Sequence, residues 1–351
     1  MMPLFTTLTP VNPRLLVTCT TPTGRATATS LLGDRATVAY LPFDAPWMMA
    51  KFLRAAKPML GLLIETELWP GVCDASKCAG VPLWLVNARM SARSARGYGR
   101  AGALTRSMLD CLSGIAAQSE DHALRFRALG ANHVTVTGNM KFDLALPADL
   151  APSADALSAH VSGGRVMWVA GSTREGEEAL VLDALVKHPL RGRAVAVIVP
   201  RHPERWDATF EDAKARGFRV ARRSDAQVPD DSEVIVGDSM DEMFAYYGKA
   251  CAVVMGGTLA GTGGQNLIEP CVMGVPVVLG PSVFNFQQAA DEAIAAGAAV
   301  AAPHADAALD AVLNWIDDPL ARDLAGEKAS AFVAAHRGAT QRTTALLAQI
   351  L

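Results

Sequence analysis

Short apolar runs rich in Val, Leu and Ile recur along the chain, separated by longer amphipathic stretches. In the first part they fall at 14–19, 36–41, 59–64, 82–86, 114–117 and 133–137. Such alternation predicts βαβ units on a parallel sheet. The rhythm breaks over 144–164, where Pro147 and Pro152 stand among Ser, Ala and Gly residues. A second series follows at 166–170, 194–199, 218–221, 233–236, 250–255 and 275–279. The pattern predicts two α/β domains, over 1–147 and 163–335, with a linker over 148–162. The tail from Ala305 reads as helices, with breaks near Asp317–Pro319 and at Gly338. Two such domains are expected to hold a ligand between them, at the carboxyl ends of the strands.

Chemistry concentrates in residues 256–276. The run 250–255 reads as a strand feeding a loop with five glycines, Gly256, Gly257, Gly261, Gly263 and Gly264. Glycines permit positive φ and close approach to main-chain N–H groups, which suits a phosphate. Pro270 lacks an N–H, so the helix that follows is expected to start near Gln265 or Asn266 and aim its N-terminus at the ligand. Glu269, one turn inside, is placed like the acidic residue that accepts hydrogen bonds from ribose hydroxyls. The plainer alternative is a tight strand-to-helix turn that binds nothing.

Composition narrows the class. The 351 residues are 50% apolar and 19% charged, as in an ordinary folded chain, and the net charge of −3 gives no domain-wide basic excess for nucleic acid. No apolar stretch approaches the roughly 18 residues needed to span a bilayer. The six cysteines lie in apolar segments without zinc spacing and read as reduced thiols of a cytoplasmic protein. The seven histidines form no paired metal motif, so neither metal nor cofactor is expected.

Nine segments, kept in order, carry a family resemblance. They are ThrThrProThrGly (20–24), LeuProPheAsp (41–44), GluThrGluLeuTrpPro (65–70), residues 87–98, GlyAsnMetLysPheAsp (138–143), SerThrArgGluGlyGluGlu (172–178), ProArgHisProGluArg (200–205), GlyAspSerMetAspGlu (237–242) and the glycine loop through 286. Together they closely resemble the Kdo transferases of lipopolysaccharide core synthesis. The resemblance implies a GT-B fold, two Rossmann-like domains facing a central cleft, with a C-terminal helix over 336–351 crossing back to the N-domain. It implies metal-independent, inverting transfer of 3-deoxy-D-manno-octulosonic acid from CMP-Kdo to a lipid A precursor, lipid IVA. The expected place is the cytoplasmic face of the inner membrane, with the membrane surface as a partner.

The same resemblance assigns roles. Pro200 and Arg201 are implied to touch the CMP, Arg201 pairing with its phosphate; a surface arginine in a turn is the alternative. Met240, Asp241 and Glu242 form a second CMP segment, or simply a helix start capped by Asp238 or Ser239. Asn266, Leu267, Ile268 and Glu269 form a third. Glu65 and Lys141 correspond to transition-state stabilisers. Glu65 and Glu67 could equally be solvated loop carboxylates, and Lys141 could form a salt bridge with Asp143. Arg89, Arg93, Arg96 and Arg100, spaced for one helix face, read as acceptor or headgroup contacts, or as a solvated face.

Two departures stand out. Arg174 and Gln265 occupy positions where the family often has His. The family's general base, a Glu in a Ser-Val-Gly-Glu stretch, together with a first strand and an apolar anchor, falls ahead of Met1. The expectation is therefore a peripheral family member incomplete at its start. The rival readings are a GT-B enzyme using a UDP-sugar and a CMP-binding protein without catalysis.

Overall fold

Every strand pair among the described residues is parallel. Connections this long, most of them helical, cannot make hairpins, so they carry each strand back in the same direction. The computed structural model describes residues 14–348. Residues 1–13 of the first predicted domain and residues 349–351 of the predicted last helix lie outside the described residues. The chain divides into two units, 1–143 with 336–351, and 144–335.

In the first unit β1 (Leu15–Cys19) and β2 (Ala36–Tyr40) pair around the helix Pro22–Leu32. A separate four-stranded sheet runs β3 (Gly61–Ile64), β4 (Leu83–Ala88), β5 (Gly114–Ala117), β6 (Val134–Val136). β4 and β5 are buried along their whole length, so both faces of the sheet need cover. Alternation supplies two cores: Leu83, Leu85 and Ile115 join Met49 and Phe126 on one face, while Trp84, Val86 and Ala116 join Met140, Ala339 and Leu347 on the other.

That second face is closed by the C-terminal helix Ala339–Leu347, which has no side-chain cap of its own. Its N-terminal N–H groups are satisfied from a distance: the Asp143 carboxylate accepts from Gly338 N at 2.6 Å and Thr340 N at 2.5 Å. Arg342 Nε donates to the Thr137 carbonyl at 2.8 Å, and Phe142 stacks on His336 at 4.7 Å between ring centroids. An acidic group at a helix N-terminus both fills orphan donors and complements the macrodipole.

The second unit is a seven-stranded sheet ordered β13-β12-β11-β7-β8-β10-β9. Its strands are β7 (Met167–Thr173), β8 (Val195–Pro200), β9 (Val220–Arg222), β10 (Val234–Val236), β11 (Ala250–Met255), β12 (Val277–Leu279) and β13 (Ala299–Ala301). The strand order reverses between β7 and β11, which opens a crevice at their carboxyl ends. β13 has only Ala and Val in three residues, too little for a run to register in the sequence.

The predicted linker over 148–162 is instead the helix Leu150–Ser162 of the second unit, which begins at residue 144. Ala154, Leu157 and Val161, spaced for one helix face, are buried. The residues that suggested a linker are helix-end residues: Pro152 lies in the first turn, where its missing N–H costs nothing, and Gly163 ends the helix at φ 58°. No helix among the described residues is long and apolar enough to cross a membrane.

Asp143→Ala should lower the unfolding free energy by about 2 kcal/mol, the scale of lost hydrogen bonds to a charged group. Urea denaturation with amide exchange checks this: the amides of Ala339–Leu347 should lose protection before those of β4 and β5, whereas unchanged stability would remove Asp143 from its capping role.

Candidate functional site

At the carboxyl ends of β7, β8, β10 and β11 lies a pocket of about 320 Å³ within the second unit. Six of the predicted nucleotide residues line it: Pro200, Arg201, Met240, Asp241, Asn266 and Glu269. Pro200 ends β8 and Arg201 follows it, Met240 and Asp241 lie in the loop after β10, and Asn266 and Glu269 come from the segment after β11. Arg201 is exposed, with its main-chain N–H tied to the Thr173 carbonyl at 2.9 Å. Glu269 lies in the first turn of the helix Ile268–Val272 and accepts from Asn266 Nδ2 at 3.0 Å. Burial raises its carboxyl above the ordinary glutamate range, while the Asn266 hydrogen bond and the Arg201 charge pull it back down.

Sequence reasoning missed Ser172 and Tyr247, which also line the pocket. The Tyr247 side chain is fully buried and hydrogen-bonded to Ser172, and burial pushes its phenol well above the ordinary range. Ser172 and Asp241 both hold positive φ, 56° and 62°, although neither is glycine. Such strain persists only where surrounding structure enforces it, and it gathers at functional sites.

The glycine loop departs from expectation. Three of its N–H groups are taken by a side chain: Gly257 N (2.5 Å), Leu259 N (2.7 Å) and Ala260 N (3.4 Å) all donate to the buried Glu177 carboxylate. Gly263 N donates to Ser282 Oγ, Gly264 N to the Gly257 carbonyl and Gln265 N to the Gly256 carbonyl. Gly256 is glycine for a packing reason, since a Cβ there would run into the Ser172 carbonyl. The helix expected to start at Gln265 or Asn266 starts at Ile268 and has five residues, too few for a strong macrodipole. Asn266 Oδ1 already takes Ile268 N at 3.3 Å, which holds the chain out of the helix until that point.

The other predicted nucleotide residues do not line the pocket. Leu267 and Ile268 are buried in the core, and the Glu242 carboxylate pairs with Arg223 at 3.0 Å. Glu242 is itself the N-cap of the helix Met243–Tyr247, and neither Asp238 nor Ser239 caps it. Asp238 is occupied by Ser224, and the Ser239 hydroxyl by Tyr246. Of the two departures from the family pattern, Gln265 lines the pocket, while Arg174 Nη1 sits 2.8 Å from His202 Nε2.

In the first unit Lys141 Nζ lies 2.8 Å from Glu65 Oε1. The alternative partner, Asp143, is committed to the C-terminal helix. Glu65 follows β3 at φ 60°, its N–H bonded to Val86 O and its carbonyl to Arg89 N, while Glu67 takes the Trp69 indole N–H at 3.3 Å. Asn87, at the end of β4 with φ 50°, accepts from Met140 N at 3.0 Å and so fastens the turn Met140–Asp143 that carries Lys141. Arg89 is not on the helix with the other arginines. Ser91 caps the helix Ala92–Arg100, leaving exposed Arg93, Arg96 and Arg100 on one face and Arg89 ahead of it. Among the described residues no three His, Cys, Asp or Glu side chains come together as a metal site.

Comparison with known proteins agrees in kind. The profile of the family described as 3-deoxy-D-manno-octulosonic-acid transferase (kdotransferase) matches residues 1–144. A 3-deoxy-D-manno-octulosonic acid transferase of Bordetella pertussis is 41% identical, covering 94% of this chain and 79% of that protein. One from Haemophilus influenzae is 34% identical, covering 98% and 82%. Among solved structures, Anabaena HepE in complex with UDP-glucose matches with a TM-score of 0.66 at 16% identity, covering 99% of this chain and 94% of that one. UDP-GlcNAc 2-epimerase from Neisseria meningitidis, bound to UDP-GlcNAc, matches with a TM-score of 0.64 at 15% identity, covering 99% and 96%. These two likenesses are of fold alone, and the fold is GT-B, as expected.

A carbon-detected titration of the ligand-free protein should place the Glu269 carboxyl above the ordinary glutamate range. Arg201→Gln should raise it further by removing a cation that favours the charged form. Titration at or below the ordinary value would contradict the burial account.

Proposed function

We propose that this chain, which belongs to the 3-deoxy-D-manno-octulosonic acid (Kdo) transferase family, moves Kdo from CMP-Kdo to the lipid A precursor lipid IVA in lipopolysaccharide core synthesis. The transfer inverts the sugar centre, needs no metal, and takes place at the cytoplasmic face of the inner membrane. The observation that carries this reading is a pocket where Glu269, a carboxylate suited to ribose hydroxyls, shares the lining with Arg201, a guanidinium suited to a phosphate.

In this reading Glu269 accepts from the ribose and Arg201 pairs with the single phosphate of CMP. As the bond from Kdo to that phosphate breaks, negative charge grows on the departing CMP. The Arg201 guanidinium stabilises that charge without a metal ion. Pro200, Met240, Asp241 and Asn266 frame the nucleotide through the loops that hold them, Leu267 and Ile268 act through their main chain, and Glu242 acts through its pairing with Arg223. Inverting transfer also needs a base for the acceptor hydroxyl and charge for the transition state. Lys141, held by Glu65, supplies the latter. Arg89, Arg93 and Arg96 meet the acceptor phosphates at the membrane surface. The helix Ala92–Arg100 supports this, because none of its residues is buried.

Calorimetry should detect CMP binding that is unchanged in EDTA; loss on chelation would sink the metal-free reading. Glu269→Gln should weaken CMP by about 1 to 3 kcal/mol. The sign of the pH dependence follows from the raised Glu269 pKa. Ribose hydroxyls donate to the charged form, so wild-type affinity should fall as pH drops through that pKa by more than in the Gln variant, which keeps only the dependence due to the CMP phosphate. A wild type whose pH dependence matches that of the Gln variant would detach Glu269 from the ribose. Lys141→Ala should lower transfer by about 10²-fold with CMP affinity intact, measured as labelled Kdo reaching lipid IVA. An equal loss of CMP binding would remove Lys141 from the transition state.

A further inference from the structure

Glu177 and Glu178 are acidic residues with 1% and 0% exposure, and neither belongs to the donor site described above. Burying a carboxylate costs several kcal/mol unless donors surround it. The two neighbours meet that cost differently. Glu178 takes the Thr173 hydroxyl at 2.9 Å and the Arg205 guanidinium at 3.2 Å, as a structural ion pair does. Glu177 meets no cation among its hydrogen-bond partners: Oε2 accepts from Arg174 N (2.8 Å) and Gly257 N (2.5 Å), and Oε1 from Leu259 N (2.7 Å) and Ala260 N (3.4 Å).

Arg174 follows β7, and Gly257, Leu259 and Ala260 follow β11. These are the two strands between which the sheet order reverses, so one carboxylate stitches together the two loops that border the crevice. Main-chain N–H groups converging on one point form an anion nest. Here the nest is filled by the protein's own side chain. We propose that Glu177 is a positioning residue for the donor nucleotide: an internal anion that closes the glycine loop, withdraws the Gly257, Leu259 and Ala260 N–H groups from the ligand, and sets the chain that delivers Gln265, Asn266 and Glu269 to the pocket.

The chemistry of the clamp makes it sensitive to a single atom. In Glu177→Gln, either amide orientation sets an NH2 donor against two main-chain N–H groups. Two main-chain donors lose their acceptor, and the loop loosens although size is kept. Glu178→Gln removes a buried charge one residue away without touching a loop N–H, and so serves as the control for stability alone.

The inference rests on the nucleotide reading of the pocket, and its test has one arm that does not. In the ligand-free full chain, amide exchange at Gly257, Leu259 and Ala260, and at Gln265 through Glu269, should quicken in Glu177→Gln, while β7, β8 and β11 stay protected. Glu178→Gln should lower the melting temperature but leave loop exchange as in wild type. In calorimetry with CMP, Glu177→Gln should raise the Kd by about 10-fold or more, the effect of losing hydrogen bonds to a charged group, and Glu178→Gln should change it by less than about two-fold. Glu177→Asp keeps the charge, and should recover part of the affinity. The proposal is overturned if loop exchange in Glu177→Gln matches wild type. It is equally overturned if both Gln variants weaken CMP alike. A wild-type chain that does not bind CMP would refute the donor reading, leaving the exchange result to judge Glu177.

Discussion

The second unit depends on one buried carboxylate. β11 must end in a loop that turns sharply, packs Gly256 against the Ser172 carbonyl, and still presents Asn266 and Glu269 to the pocket. Glycines allow that path but do not choose it, because their freedom also admits many other paths. The choice comes from Glu177, whose two oxygens collect four main-chain N–H groups from the loops after β7 and β11. With those donors satisfied, Arg201 is the residue proposed to meet a ligand phosphate; it stands at the pocket with its main chain anchored to β7 through the Thr173 carbonyl.

The first unit uses the same device in another place. Asp143 collects Gly338 N and Thr340 N, so the helix that covers one face of the sheet is capped by the turn Met140–Asp143. That turn also carries Lys141 and is fastened to β4 through Asn87. Core packing, the C-terminal helix and the Glu65–Lys141 pair therefore share one short segment. Glu65 and Asn87 both sit at positive φ beside it, as Ser172 and Asp241 do at the pocket. Strain of this kind is tolerated where neighbouring hydrogen bonds over-determine the main chain.

Much of the architecture was legible because period and burial leave marks in the sequence. Both series of apolar runs became parallel strands, and Leu83 and Trp84 show the alternation that divides one sheet between two cores. What escaped was short or ambiguous. β13 is too brief to register, and Pro152 and Gly163 mark the ends of a helix as readily as they mark a linker. Arg201 and Glu269, whose side chains carry their own charge, could be named in advance as candidates, and both line the pocket. Glu177 could not, because its partners are main-chain groups, three of the four of them 80 to 83 residues away in sequence. The available signal was two adjacent acids opening a largely apolar helix just after a strand, a costly placement unless donors wait nearby. Arg89 was misplaced because spacing alone cannot show that Ser91 starts the helix.

If the nucleotide is held by Arg201 and Glu269 while Gly257, Leu259 and Ala260 keep their N–H groups for Glu177, chemical-shift mapping of the isotope-labelled protein during titration with CMP should show it. The largest changes should fall at the Arg201 guanidinium, the Glu269 carboxyl and the Asn266 side chain, with the Gly257, Leu259 and Ala260 amides changing little. Dominant changes at those three amides, with Arg201 and Glu269 unmoved, would contradict it.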